Sequence, residues 1–239
     1  LLRNRCPSPQ GASLKLVRTH PWEVTYHEAV AIQEELRGLV RREGALGRAR
    51  LVAGLDVSYS RGDDRLFAGI VLWDARRGEV VGEITAVRRA RFPYIPGLLT
   101  FREGPAVTAC FEQLHERPDV VMYDGQGIAH PRRMGLAAHM GVLTDLPSIG
   151  CAKSRLVGAH REPGPRRGDH APLRDGREVL GSVLRTRDGV KPVFVSVGHR
   201  VRLARARAVV LQCTAGYRLP EPTRQAHLLV NRLRRAQTT

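Results

Sequence analysis

The residues best placed to do chemistry in this chain are two carboxylates set where carboxylates are costly. Asp56 interrupts the apolar run LVAGLDVSY, and Asp124 ends the run VVMY just ahead of a GQG turn. A carboxylate in a buried strand is unfavourable unless it is paired or bound to a cation. Two acids at the ends of apolar strands, one beside a glycine-rich turn, offer hard oxygen ligands on rigid supports with room for phosphate, which is what a divalent cation site needs. Singly each is weak evidence, because an Asp ending a strand more often caps a helix or forms a turn, and a lone instance is a ligand about one time in four.

The segment DGQGIAHPRRMG (124–135) contains GxG but lacks the third glycine and uninterrupted helix start of a dinucleotide fingerprint. Its glycines let backbone approach a ligand, while His130, Arg132 and Arg133 offer donors. His130 alone reads more often as a satisfied histidine. In FPYIPG, Pro93 and Pro96 fix their own backbone angles and push the preceding residues into extended conformations. Tyr94 then sits on a stiff tip, suited either to stacking on a base or filling the gap a base leaves, or equally to packing under its loop.

The elements that must position these residues follow from periodicity. Apolar residues at helical spacing predict a helix over 25–43 ended by Gly44, and others over 104–116, 134–143, 201–213 and 223–235. Short apolar runs predict strands over 51–59, 67–73, 79–87, 119–123, 147–152, 179–186 and 192–197. Residues 1–21 lack periodicity and read as a loose leading segment, with a single catalytic-sized domain over 22–239. The Gly-, Pro- and Arg-rich stretch 157–177 reads as a mobile surface excursion. Three hairpin strands followed by strand–helix units predict an α/β fold, a mixed sheet covered by helices.

Composition narrows the partners. The 239 residues are 42% hydrophobic, enough for one core, and 39 Lys+Arg against 23 Asp+Glu give a formal charge of +16. Polyphosphate is the obvious complement, although a biased genome gives the same Arg-rich composition. Cys6, Cys110, Cys151 and Cys213 lie far apart with no CxxC pair, which speaks against zinc or a disulfide framework. No apolar run reaches membrane length and no signal-peptide core opens the chain, so a cytoplasmic, soluble protein without a membrane partner is expected.

Taken together, LVAGLDVSY, PYIPGLLTFREGPA, YDGQGIAHPRRMGLAAHMGVLTDLPSIGCAKSRLVG, PVFVSVGHRV and PTRQAH resemble the endonuclease V family, in an order that fits it from the first helix to the last. The resemblance implies a ribonuclease H-like fold. It implies metal ligation by Asp56, Glu103 and Asp124, with His227 as a further metal-proximal catalytic group and Lys153 facing the scissile phosphate. Tyr94 is implied as a wedge, and Leu99, Gly125, His130, Gly135 and Leu136 as the pocket for a flipped hypoxanthine. The cofactor implied is Mg²⁺, with Mn²⁺ as a substitute, and the partner is nucleic acid containing inosine or deoxyinosine. The implied cut falls at the second phosphodiester 3′ to the lesion, leaving 5′-phosphate and 3′-hydroxyl, by an enzyme acting as a monomer. Gln126 and Cys151 depart from the residues usual at their positions. The rival readings are another ribonuclease H-like nuclease or resolvase, and a non-catalytic nucleic-acid-binding protein, which gains nothing from a carboxylate cluster.

Overall fold

The computed structural model describes residues 13–60 and 62–237. Among the described residues eight strands form one sheet in the order β3-β2-β1-β4-β5-β8-β7-β6. The leading hairpins are β1 (Leu51–Tyr59), β2 (Arg65–Asp74) and β3 (Glu79–Arg89), each antiparallel to the next. β4 (Val120–Tyr123) lies parallel to β1, and β5 (Ser148–Ala152) parallel to β4. The sheet is therefore mixed, as expected. β8 (Val193–His199), β7 (Glu178–Leu184) and β6 (His170–Asp175) extend it with antiparallel pairs.

Five helices among the described residues cover the sheet: α1 (Tyr26–Arg37), α2 (Leu99–Phe111), α3 (Leu136–Thr144), α4 (Leu203–Gln212) and α5 (Glu221–Ala236). α1 starts at a capping box, Thr25 with Glu28, and stops at Gly38, well before the glycine at 44 that the sequence pattern favours. α2 begins at Leu99, ahead of the predicted 104, and carries Pro105 inside it; Gly104 lets the Trp22 ring lie flush on the helix, where a Cβ would approach the ring to 2.2 Å. α5 packs equally close on β1, since a Cβ at Gly54 would meet the Pro222 carbonyl at 2.1 Å. Those contacts hold one end of α5 over the middle of β1.

Two expectations need correcting. The stretch 157–177 is no bare excursion: its last third is the edge strand β6, and the Arg185 side chain ties the preceding loop through Gly164 O, Pro163 O and Glu162. Within the leading segment, residues 13–21 carry no helix or strand but dock on the core, with Leu14 N–H donating to Leu114 O and Val17 N–H to Leu143 O. Residues 1–12, and with them Cys6, lie outside the described residues. Cys110, Cys151 and Cys213 are buried free thiols. Among the described residues no helix is long and apolar enough to cross a membrane.

Candidate active site

β1 and β4 run in parallel with Leu55 opposite Tyr123, so Asp56 and Asp124 emerge side by side at the same edge of the sheet, and Asp124 N–H donates to Leu55 O. α5 brings His227 over them. One ligand atom each from Asp56, Asp124 and His227 lie within 4.8 Å of one another. His227 Nδ1 is 2.7 Å from Asp56 Oδ2.

The tautomer of His227 follows from a neighbour one helical turn on. Asn231 Nδ2 donates to the His227 carbonyl at 2.8 Å, and a carbonyl only accepts, so this atom is the amide nitrogen. Its second hydrogen reaches His227 Nε2 at 3.1 Å. Nε2 therefore accepts, and Nδ1 carries the proton it donates to Asp56.

Electrostatics explain why this cluster suits a cation. Burial, and then the Asp124 charge, push the Asp56 carboxyl up to about 6 against the opposing pull of His227 and Lys153. A carboxyl group whose ionisation is made costly by burial and a neighbouring negative charge gains from a positive charge beside it. In this structure the Lys153 ammonium provides part of it by bonding Asp124. The Lys153–Ser154 backbone is clamped from two sides, with Arg218 Nη2 donating to Lys153 O at 2.6 Å and Gln126 Nε2 to Ser154 O at 2.9 Å. Two carboxylates on adjacent parallel strands, one of them oriented by the imidazole, offer oxygen ligands that fit a hard divalent cation.

Glu103 enters the same cavity from α2 but stands apart from the close cluster. It is 5% exposed, its carboxylate accepts from the Tyr59 hydroxyl, and burial with the charges of Asp56 and Asp124 pushes it up to about 8. The Tyr59 phenol is held far above its ordinary value by burial and by Glu103.

The cavity itself, of about 450 Å³, gathers ten of the eleven site residues inferred above: Asp56, Tyr94, Leu99, Glu103, Asp124, Gly125, His130, Gly135, Leu136 and Lys153. His227 borders it through Asp56. A Cβ at Gly125 would meet nothing within 4 Å, so that glycine is not demanded by packing; it leaves room on the cavity side. The tip bearing Tyr94 is stiffened as its prolines suggest. Leu98 N–H closes a turn on Ile95 O, with Pro96 and then Gly97 at φ 81° in the central positions, the residues a type II turn requires. Phe92 anchors the loop against Phe101, ring centroids 5.5 Å apart, while Tyr94 is 67% exposed and so is not packed under its loop.

The pair Arg132 and Arg133, which the sequence offers as donors to a ligand, is spent inside the protein. Arg132 bonds Gln33 Oε1 and Gly97 O, supporting the Tyr94 loop from behind, and Arg133 pairs with Asp175 and Glu178. His130 Nδ1 accepts from the Arg132 and Met134 backbone N–H groups, and burial, helped by Arg132, pushes its pKa down to about 4. Reasoning from sequence missed Tyr59, Asn231 and Arg218. Asn231 carries a findable signal, four residues beyond His227 on one helix face; the other two carry none.

A family model described as Endonuclease V matches residues 34–228. An endonuclease V of Myxococcus xanthus is 51% identical over 216 residues, 90% of this chain and 92% of the relative. The crystal structure of the endonuclease V of Streptomyces avermitilis superposes with a TM-score of 0.87 at 46% identity, covering 95% of this chain and 100% of the other. That of Ciona intestinalis, in complex with a 24mer DNA containing an inosine followed by a ribo-adenosine, gives 0.78 at 29% identity, covering 87% and 96%. With half its residues shared along nine tenths of its length, and the family match spanning Asp56, Glu103, Asp124 and His227, the chain belongs to the endonuclease V family.

Proposed function

We propose that this chain is a divalent-cation-dependent endonuclease that takes a hypoxanthine base into the cavity beside Tyr94 and hydrolyses the second phosphodiester 3′ to it. The observation that carries the reading is the sharing of one cavity by an acidic cluster fit for a cation and a neutral, glycine-lined recess behind a rigid exposed aromatic. The crystallised relative bound to inosine-containing DNA supports the choice of base.

Asp56 and Asp124, with Glu103 close by, would hold Mg²⁺, or Mn²⁺ in its place. A cation bound there supplies Lewis acidity to the phosphodiester and to the attacking water. His227 fixes the orientation of Asp56 through its Nδ1–H. Lys153 bonds Asp124 without substrate, and its side chain is exposed enough to exchange that partner for a phosphate oxygen while Arg218 and Gln126 keep its backbone in place. His130, neutral at pH 7, together with the backbone of Gly125 and Gly135 and the side chains of Leu99 and Leu136, forms the base recess. Tyr94 fills the space an extruded base leaves. The products are 5′-phosphate and 3′-hydroxyl. Because one chain supplies every group named, a monomer suffices.

The test is to map products from matched oligonucleotides carrying inosine, deoxyinosine or adenine at one position, with Mg²⁺ and with chelator. One cut displaced 3′ from the inosine, and none with chelator, is the expected result. Cutting that ignores the base would favour a general ribonuclease H-like nuclease.

A further inference from the structure

The far side of the Tyr94 loop has a charge pattern that the reaction leaves unused. β3 is parallel to β1, both being antiparallel to β2 between them. The pairs Tyr59↔Leu66 and Leu66↔Arg88, with Arg65↔Arg89 beyond, set Arg88 level with Tyr59 and Arg89 just past it, further toward the same end of the sheet than Asp56 and two strand spacings, about 10 Å, to the side. Two residues later the chain enters the loop. That loop acts as a partition: Ile95, Pro96 and Gly97 line the active-site cavity, whereas Arg91 and Phe92 line a second cavity of about 420 Å³ together with Arg88, Arg89 and Trp22.

Arg91 is neutralised there by Glu23. Arg88 and Arg89 are exposed, and among the described residues no carboxylate pairs with either; Arg88 donates only to the adjacent Val87 carbonyl. The two side chains leave opposite faces of the strand, yet both residues line the second cavity, where uncompensated positive charge suits backbone phosphates, contacts that position a nucleic acid without reading its sequence. A lesion strand running from the base recess to Asp56 and Asp124 stays on the cavity side of the loop. On that path the far side of the loop is left for a complementary strand.

We infer that Arg88 and Arg89 bind phosphates of the strand opposite the inosine when the substrate is a duplex. This rests on the function proposed above, and the experiment separates the two.

The double variant Arg88→Gln/Arg89→Gln and the parent are compared by fluorescence anisotropy, without divalent cation, on one inosine oligonucleotide as a single strand and annealed to its complement, over a KCl series. Losing two phosphate contacts should make the duplex log–log salt slope shallower by about 2 and weaken duplex binding at low salt. Single-strand affinity should stay within about twofold of the parent, because that strand does not cross the loop. Parent-like duplex binding overturns the inference. So does equal weakening of both forms at an unchanged melting temperature, which would put the two arginines on the lesion strand. Cleavage of single-stranded inosine by the parent is read in parallel; its absence would sink the proposed function whatever the arginines do.

Discussion

The two halves of the cavity are built on opposite principles. At the acidic end, function sits in carboxyl groups whose ionisation is made costly by burial and by neighbouring acids, with Asp56 near 6 and Glu103 near 8. At the base end, charge has been removed: Arg132 and Arg133 are consumed by internal partners, His130 is held neutral, and glycine backbone and leucine side chains face the space. The difference teaches that bond breaking here depends on charges that remain costly until a cation arrives, and recognition on shape and fixed backbone groups. Changes at the acidic end should therefore alter rate, and changes at the base end should alter substrate choice.

The largest effect belongs to the acidic end. Asp56→Asn takes the negative charge from a ligand, although its amide oxygen still accepts from His227, and should lower cleavage by several orders of magnitude while leaving binding to inosine strands close to the parent. Single-turnover rates beside anisotropy on the same oligonucleotide check this. A loss confined to binding would erase the division between the two ends.

Tyr94→Ala should act through the substrate's form. Extruding a base from a duplex costs on the order of a few kcal/mol, part of which a wedge offsets, so duplex inosine cleavage should fall well below that of the single strand. Since Tyr94 is exposed and its loop is held by Phe92, Gly97 and Arg132, the melting temperature should barely move. Equal losses on both substrates with a lower melting temperature would mean the ring packs for stability.

A smaller effect concerns stability alone. In the cation-free protein Glu103 is raised from 4.5 to about 8, so the folded state holds this proton more tightly than the unfolded chain. Its stabilising contribution is complete below about 4.5, declines as pH rises toward about 8 and is gone above it. Glu103→Gln has no such loss and should melt increasingly above the parent across that window, with a constant gap beyond. Thermal melts in chelator from acid to alkaline pH measure this, and a gap that shrinks with rising pH would contradict the burial of this carboxyl.

Much of the acidic end was legible in the sequence because apolar strands make an acid conspicuous, as with Asp56 and Asp124. Tyr94 was legible because flanking prolines leave its backbone little choice. The base end was read less well. Arg132 and Arg133 looked free, since their partners Gln33, Asp175 and Glu178 are remote in sequence and only the fold brings them near. β6 escaped notice because an edge strand needs apolar residues on one face only, and there Ala171 and Leu173 alone are buried among Pro and charged residues. The start of α2 was hidden by a helix with no side-chain cap at Leu98. Tyr59 and Glu103 meet across strand and helix, a pairing no local pattern encodes.

The central claim, that charge cuts and a neutral recess recognises, is tested most directly by Asp124→Asn. Its affinity for an inosine oligonucleotide is measured against that for the adenine counterpart, together with cleavage in saturating Mg²⁺. The account predicts that the inosine-to-adenine affinity ratio stays within about twofold of the parent while cleavage falls by orders of magnitude. Near-parent cleavage, or a ratio that collapses along with cleavage, would contradict it.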